Sequence, residues 1–136
     1  MARVKKEQAI KEVHAWLDIK KTKPYKREEM VDSIDLLAES ISAGELKFDP
    51  ETGIIHHELL FPVEDNEGMV ITNSLTYKPR LKVHEVQNKL QKVKSNDIQG
   101  MIAVYVSAIT GEAIGIIKNL DSEDYRISQA IAGFFF

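Results

Sequence analysis

The apolar residues of this chain change their period twice, and that alternation sets the fold class. Ala9, Ile10, Val13, Trp16 and Leu17 recur at three- and four-residue steps, as do Met30, Val31, Ile34, Leu37, Ala38 and Ile41. That is helix spacing, and it predicts one helix over 4–19 and a second over about 27–43. Pre-proline Lys23 is biased out of the helical region and predicts a linker between them, and Gly44 is placed to stop the second helix. From 46 to 77 the period falls to two. Leu46–Asp49 and Ile54–Phe61 flank the turn-rich DPETG, and a second turn signal, DNEG at 65–68, precedes a run in which Val70, Thr72, Ser74 and Thr76 alternate with Met69, Ile71, Asn73, Leu75 and Tyr77. Two or three antiparallel strands are expected, and a sheet this small needs helices packed on one face.

Beyond Leu81 the spacing is helical again. Val83, Val86, Leu90 and Val93 form an apolar seam on a polar helix; Ser95, Asn96 and Asp97 offer N-caps to an apolar helix over 98–110. Gly111 breaks it, a short helix covers 112–119, and Asp121 and Ser122 cap a last helix that runs into Phe134, Phe135 and Phe136. The expected architecture is α+β, mainly helical, with a small antiparallel sheet or hairpin over about 46–77. A single domain spans 1–136: a helical N-terminal arm over 1–45, the sheet over 46–80 and a helical part over 81–136.

Composition narrows the chemistry. A chain of 136 residues with a net charge of −3 suits one core. It has no cysteine, which removes disulfides, thiolate metal sites and thiol catalysis and makes a cytoplasmic location the expectation. No stretch approaches the roughly 20 apolar residues of a membrane span, and the start, MARVKKEQAIKEV, lacks the apolar core of a signal peptide. No membrane partner is expected.

The modest net charge hides an asymmetry. Residues 1–28 carry nine Lys or Arg against four acids, whereas the remainder carries nine against seventeen. The densest basic stretch, Lys20, Lys21, Lys23, Lys26 and Arg27, surrounds Pro24 and Tyr25. It is a candidate docking patch for nucleic-acid phosphates or for an acidic protein surface, and a solvated linker otherwise. No interleaved aromatics, glycine-rich loop or zinc spacing favours nucleic acid.

No group of residues has the spacing of a catalytic or metal site. His56 and His57 are adjacent, so on a strand they point to opposite faces; His84 and His14 lack partners at ligand spacing. Glu64, Asp65 and Glu67 lack the spacing of a calcium loop, while Asp121, Glu123 and Asp124 fit the first turn of a helix, where acids satisfy free amides and the dipole. Asp121 is expected as a cap, Asp124 as a first-turn acid and Tyr125 as a packing anchor. No nucleophile elbow or phosphate loop is present. Neither an enzyme nor a cofactor is expected. The apolar residues are the better candidates: Val86 and Leu90 suit a helix-to-helix contact, and three consecutive phenylalanines cannot all face one core, since successive helical side chains diverge by about 100°. Phe134, Phe135 and Phe136 are therefore partner-surface candidates.

The stretch AITGEAIGIIKNLDSEDYRISQAIAGFF is similar to the C-terminal part of tail assembly chaperones of long-tailed bacteriophages, especially the contractile-tail group. The shared features are an apolar helix closing in Thr110-Gly111, a short helix ending in Leu120-Asp121, the Asp124-Tyr125 pair and an apolar, Phe-containing end. Upstream, SLTYKPRLKVHEVQNKL resembles the strand that leads into a helix in that family, so the likeness covers residues 68–136. It implies a non-enzymatic factor of the host cytoplasm, self-associating, that binds the helical tape measure protein and helps recruit tail tube subunits. It also implies a programmed frameshift near the end of the reading frame, for which a uridine run encoding Phe134–Phe136 would be the slip site; mixed Phe codons with no overlapping frame would remove that idea.

Two other functions fit the residues. One is a structural or adaptor protein of a phage tail or head–tail junction that stays in the virion. The other is a small nucleic-acid-binding regulator using 20–27, whose affinity for duplex DNA would fall with salt at a log–log slope of about −4 to −5 for five cations.

Overall fold

The computed structural model describes residues 4–94 and 96–136; Met1–Arg3 and the expected cap Ser95 lie outside the described residues. The fold is α+β. Helices α1 (Lys6–Lys20), α2 (Pro24–Glu29) and α3 (Val31–Ser42) lead into strands β1 (Leu46–Phe48), β2 (Ile55–Glu64) and β3 (Val70–Tyr77). Helices α4 (Val83–Leu90), α5 (Ile98–Thr110), α6 (Ile114–Lys118) and α7 (Ser122–Ala132) follow, and a 3₁₀ turn over Gly133–Phe135 closes the chain. The strands form one antiparallel sheet in the order β1-β2-β3. No helix is long and apolar enough to cross a membrane among the described residues.

The N-terminal region departs from the expected helix–linker–helix arm. The first helix ends at Lys21, held in the left-handed region (φ 60°), whose amide reaches Asp18 and Leu17 carbonyls. Pro24 then occupies the first turn of α2, where its missing N–H costs nothing, so the basic stretch is partly helical rather than a linker. α1 and α3 pack into the common core. Ala9, Val13, Trp16 and Leu17 of α1 and Ile34, Leu37, Ala38 and Ile41 of α3 are buried in the same core as Ile55, Leu75, Ile109 and Ile131. Trp16 sits at its centre, edge-on to Phe48 and Phe134 with ring centroids at 5.6 and 5.8 Å. Across the outer face of α1 and α3, Lys6 pairs with Asp35 and Glu39.

Turn chemistry places the strands. Asp49 accepts from the Glu51 and Thr52 amides, and Gly53 (φ 77°) closes the β1–β2 turn. A Cβ at Gly53 would lie 3.1 Å from both Ile19 and Pro79, so this turn also carries the close approach of the 78–82 connector. Asp65 accepts from the Glu67 and Met69 amides in the β2–β3 turn.

The sheet is longer than the spacing predicts. β2 continues past Phe61 through Pro62 to Glu64, by way of an irregularity: Glu58 pairs with Ser74 and Val63 with Thr72, leaving four β2 residues, 59–62, opposite one on β3. Pro62 has no amide to lose, and Val63 beyond the bulge returns to the core at 3% exposure. Later helices follow the spacing, except that α4 ends at Leu90, short of Val93, and α6 begins at Ile114. Asp97 caps α5 by accepting from Gly100 at 2.9 Å, and Asp121 caps α7 by accepting from Glu123 at 2.9 Å.

Candidate functional site: a basic-rimmed apolar groove

The terminal phenylalanines part company because the last turn is 3₁₀, with about three residues per turn rather than 3.6. Phe134 turns inward against Trp16 and is buried. Phe135 is half-buried beneath Lys20, whose ammonium lies 3.4 Å from its ring centroid. Phe136 is exposed and rests against Tyr105, ring centroids 4.5 Å apart. Of the other two apolar candidates, Val86 is buried against α5 and Leu90 is half-buried. Phe134 and Val86 thus spend most of their surface inside this chain.

Four of these five residues nonetheless meet at one place. Val86 and Leu90 of α4, Tyr105 of α5, and Phe134 and Phe135 of the 3₁₀ turn line an open groove of about 560 Å³. The connector between β3 and α4 forms its rim. Lys78 donates its amide to the Ile109 carbonyl at 3.1 Å, and its ammonium pairs with Glu85. Glu85 also accepts from the Lys82 amide at 3.1 Å, fixing the start of α4. Arg80 and Lys82, both exposed, then stand at the groove with Val83, which is 74% exposed.

Lys20 reaches the groove from the end of α1. Its ammonium donates to the Pro79 carbonyl at 2.9 Å and lies over Phe135, with Trp16 5.5 Å away. Burial, with the charge of Arg80 beside it, pulls its pKa down to about 8. Three cationic side chains therefore surround an apolar floor, and none of the residues that line it is acidic among those described. The arrangement fits an amphipathic protein segment with an acidic flank.

The basic stretch does not act as one patch. Lys20 belongs to the groove. Arg27 is pinned to α1, donating to Asp18 at 2.8 Å and to the Thr22 carbonyl at 3.1 Å, with His14 at 3.2 Å. Lys21 and Lys23 are exposed and Lys26 is half-exposed.

A second feature was not legible as a site. Asp124, expected as a first-turn acid, is fully buried and accepts from the amides of Leu60 and Phe61 at 2.8 and 2.9 Å. These are the amides that the bulge withdraws from β3. His57, beside it, is buried on the inner face of β2 while His56 is exposed. Its Nδ1 meets the Tyr77 hydroxyl at 2.9 Å, Tyr77 meets Ser128 at 2.6 Å, and its Nε2 lies 3.6 Å from Asp124. This polar string joins β2, β3 and α7, and no local spacing in the sequence marks it.

Burial lowers the pKa of His57, against the opposing pull of the Asp124 charge. The folded protein therefore binds fewer protons than the unfolded chain once the pH falls below about 6.5, and stability falls with it by up to ~1.4 kcal/mol per pH unit. Urea unfolding is expected to show a lower midpoint at pH 5.5 than at 7.5, and His57→Gln a shallower dependence. An equal slope in both proteins would remove His57 from this role.

A smaller cleft of about 460 Å³, lined by α5, α6 and Tyr125, contains none of the candidate residues. Among the described residues, no group of three or more His, Asp or Glu side chains is placed to hold a metal ion. Compared with protein-family models, with curated proteins and with solved structures, the chain matches none.

Proposed function

We propose that this chain is a non-enzymatic tail assembly chaperone of a long-tailed bacteriophage, acting in the host cytoplasm. It takes a helical segment of the tape measure protein into the groove and helps bring tail tube subunits to it. The observation that carries a binding role is the meeting of Val86, Leu90, Phe134 and Phe135 under a rim of Lys20, Arg80 and Lys82. The assignment to tail assembly rests on the similarity of residues 68–136 to that family.

The chemistry of the groove specifies the client further. An apolar side of a helix fills the floor, and carboxylates on its flank face the three cations. Because the Lys20 pKa lies near 8, an acidic client favours its charged form, and binding weakens as the pH rises through that value.

Co-expression with the tape measure protein encoded in the same genome tests the reading. A soluble complex that contains both chains, with the tape measure protein aggregating when expressed alone, is the expected result. A folded chain that leaves the tape measure protein insoluble overturns it, and recovery of the chain from purified virions favours a structural or adaptor component instead.

A further inference from the structure

Five of the ten large apolar side chains exposed among the described residues lie toward the end of the β2–β3 ribbon. Leu60, Phe61, Met69, Val70 and Ile71 are each at least half exposed. Leu59 and Val63 point into the core and Asp124 of α7 ties the Leu60 and Phe61 amides down, so the ribbon is anchored here while these five side chains stay exposed. Exposed apolar side chains on both faces of a ribbon with open edges mark a segment that a partner covers in use.

Charge indicates what covers it. Residues 48–77 contain six acids and no Lys or Arg, and Glu64, Asp65 and Glu67 sit at the tip itself. The tip is thus apolar with an acidic border, whereas the groove is apolar with a border of Lys20, Arg80 and Lys82. The two surfaces are complementary in both respects and lie on different elements of one chain.

We infer that the ribbon tip of one copy docks in the groove of the next, joining copies head to tail. Such a contact is heterologous: each copy offers a tip and a groove, so association continues beyond a dimer until it closes into a ring or runs on as a filament. The same groove receives the client, so self-association and client binding compete, and a client releases copies from the assembly. This inference rests on the groove being a protein-binding site, not on the tail assignment.

The absence of cysteine allows a direct test. Phe61→Cys and Val83→Cys each change one exposed residue, one on the tip and one at the groove. Mixed and oxidised, the two variants are expected to give the 61–83 heterodimer several-fold faster than either variant gives its own disulfide dimer. A 61–61 dimer forming faster than the mixed one would indicate symmetric ribbon pairing and overturn the inference, as would no preference for the mixed pair.

A second measurement does not depend on disulfide geometry. The groove variant Arg80→Glu/Val83→Asp and the tip variant Phe61→Ser/Ile71→Ser are each expected to sediment as single chains. Mixed in equal amounts, they keep one intact tip and one intact groove and are expected to form a species of two chains and no more. A wild-type chain that stays monomeric at millimolar concentration, or a mixture that stays monomeric, overturns the inference. Either result alongside a stable complex with the tape measure protein leaves the client reading standing.

Discussion

Asp124→Ala is expected to lower the unfolding free energy by about 2–4 kcal/mol, the scale for removing charge-assisted hydrogen bonds and leaving their donors unpaired. The carboxylate accepts from Leu60 and Phe61, whose amides have no β3 partner because four β2 residues face one there. Relief of carboxylate burial offsets part of the loss, and water reaches part of the freed backbone, so the cost stays below the two-bond maximum. Asp124→Asn keeps the shape but offers one acceptor oxygen and is expected to cost less than the alanine variant. Urea unfolding measures both, and hydrogen exchange adds a local readout: the Leu60 and Phe61 amides should lose protection ahead of α1 and α3. A change below about 0.5 kcal/mol in Asp124→Ala would show that the bulge is held by other contacts.

The second large effect separates three residues that look alike in the sequence. Phe134→Ala is expected to cost about 3–5 kcal/mol, as for a large aromatic removed from a core, because its ring is packed edge-on to Trp16 and buried. Phe136→Ala is expected to stay within about 0.5 kcal/mol of wild type, since its ring is exposed and touches Tyr105 from outside. Phe135→Ala falls between, because it removes the ring beneath the Lys20 ammonium. Equal costs at 134 and 136 would contradict the orientation of the 3₁₀ turn. Since Phe134 is structural, loss of binding in its variants reports unfolding, whereas exposed groove residues report binding itself.

How much of this was legible follows from the range of each interaction. Helix spacing located α1, α3 and α4 because their apolar faces repeat within the sequence itself, and the caps Asp97 and Asp121 located α5 and α7. The turns at 49–53 and 65–68 were legible because Asp and Gly act there on amides two to four residues away. The short helix α2 was read as a linker, since Pro24 suits a first helical turn as well as a break. Asp124 was read as a first-turn acid because its location fits one; its partners lie 63 and 64 residues earlier, and nothing local reports a contact at that separation.

The groove shows the same limit. Its apolar candidates, Val86, Leu90, Phe134 and Phe135, stood out by spacing and by the unusual run of aromatics. That they share one surface depends on α4 packing on α5 and on the last turn folding back toward α1. Lys20 was grouped with Lys21, Lys23, Lys26 and Arg27 because they are neighbours in sequence. In the fold it leaves that group and joins Arg80 and Lys82, while Arg27 turns back onto Asp18. Leu60, Phe61, Met69, Val70 and Ile71 fall on strands in the sequence reading, and a period of two does not tell a covered strand face from an exposed one.

The measurement that bears most directly on the groove is recovery of the tape measure protein by wild type and by Arg80→Glu/Val83→Asp, with the unfolding midpoint of each recorded in parallel. Both substituted side chains are exposed, and an acid at the first position of α4 suits the helix dipole, so the variant is expected to unfold near the wild-type midpoint. The groove assignment predicts at least a tenfold loss of recovered tape measure protein at unchanged stability. Equal recovery by a variant that unfolds with the wild type would contradict it.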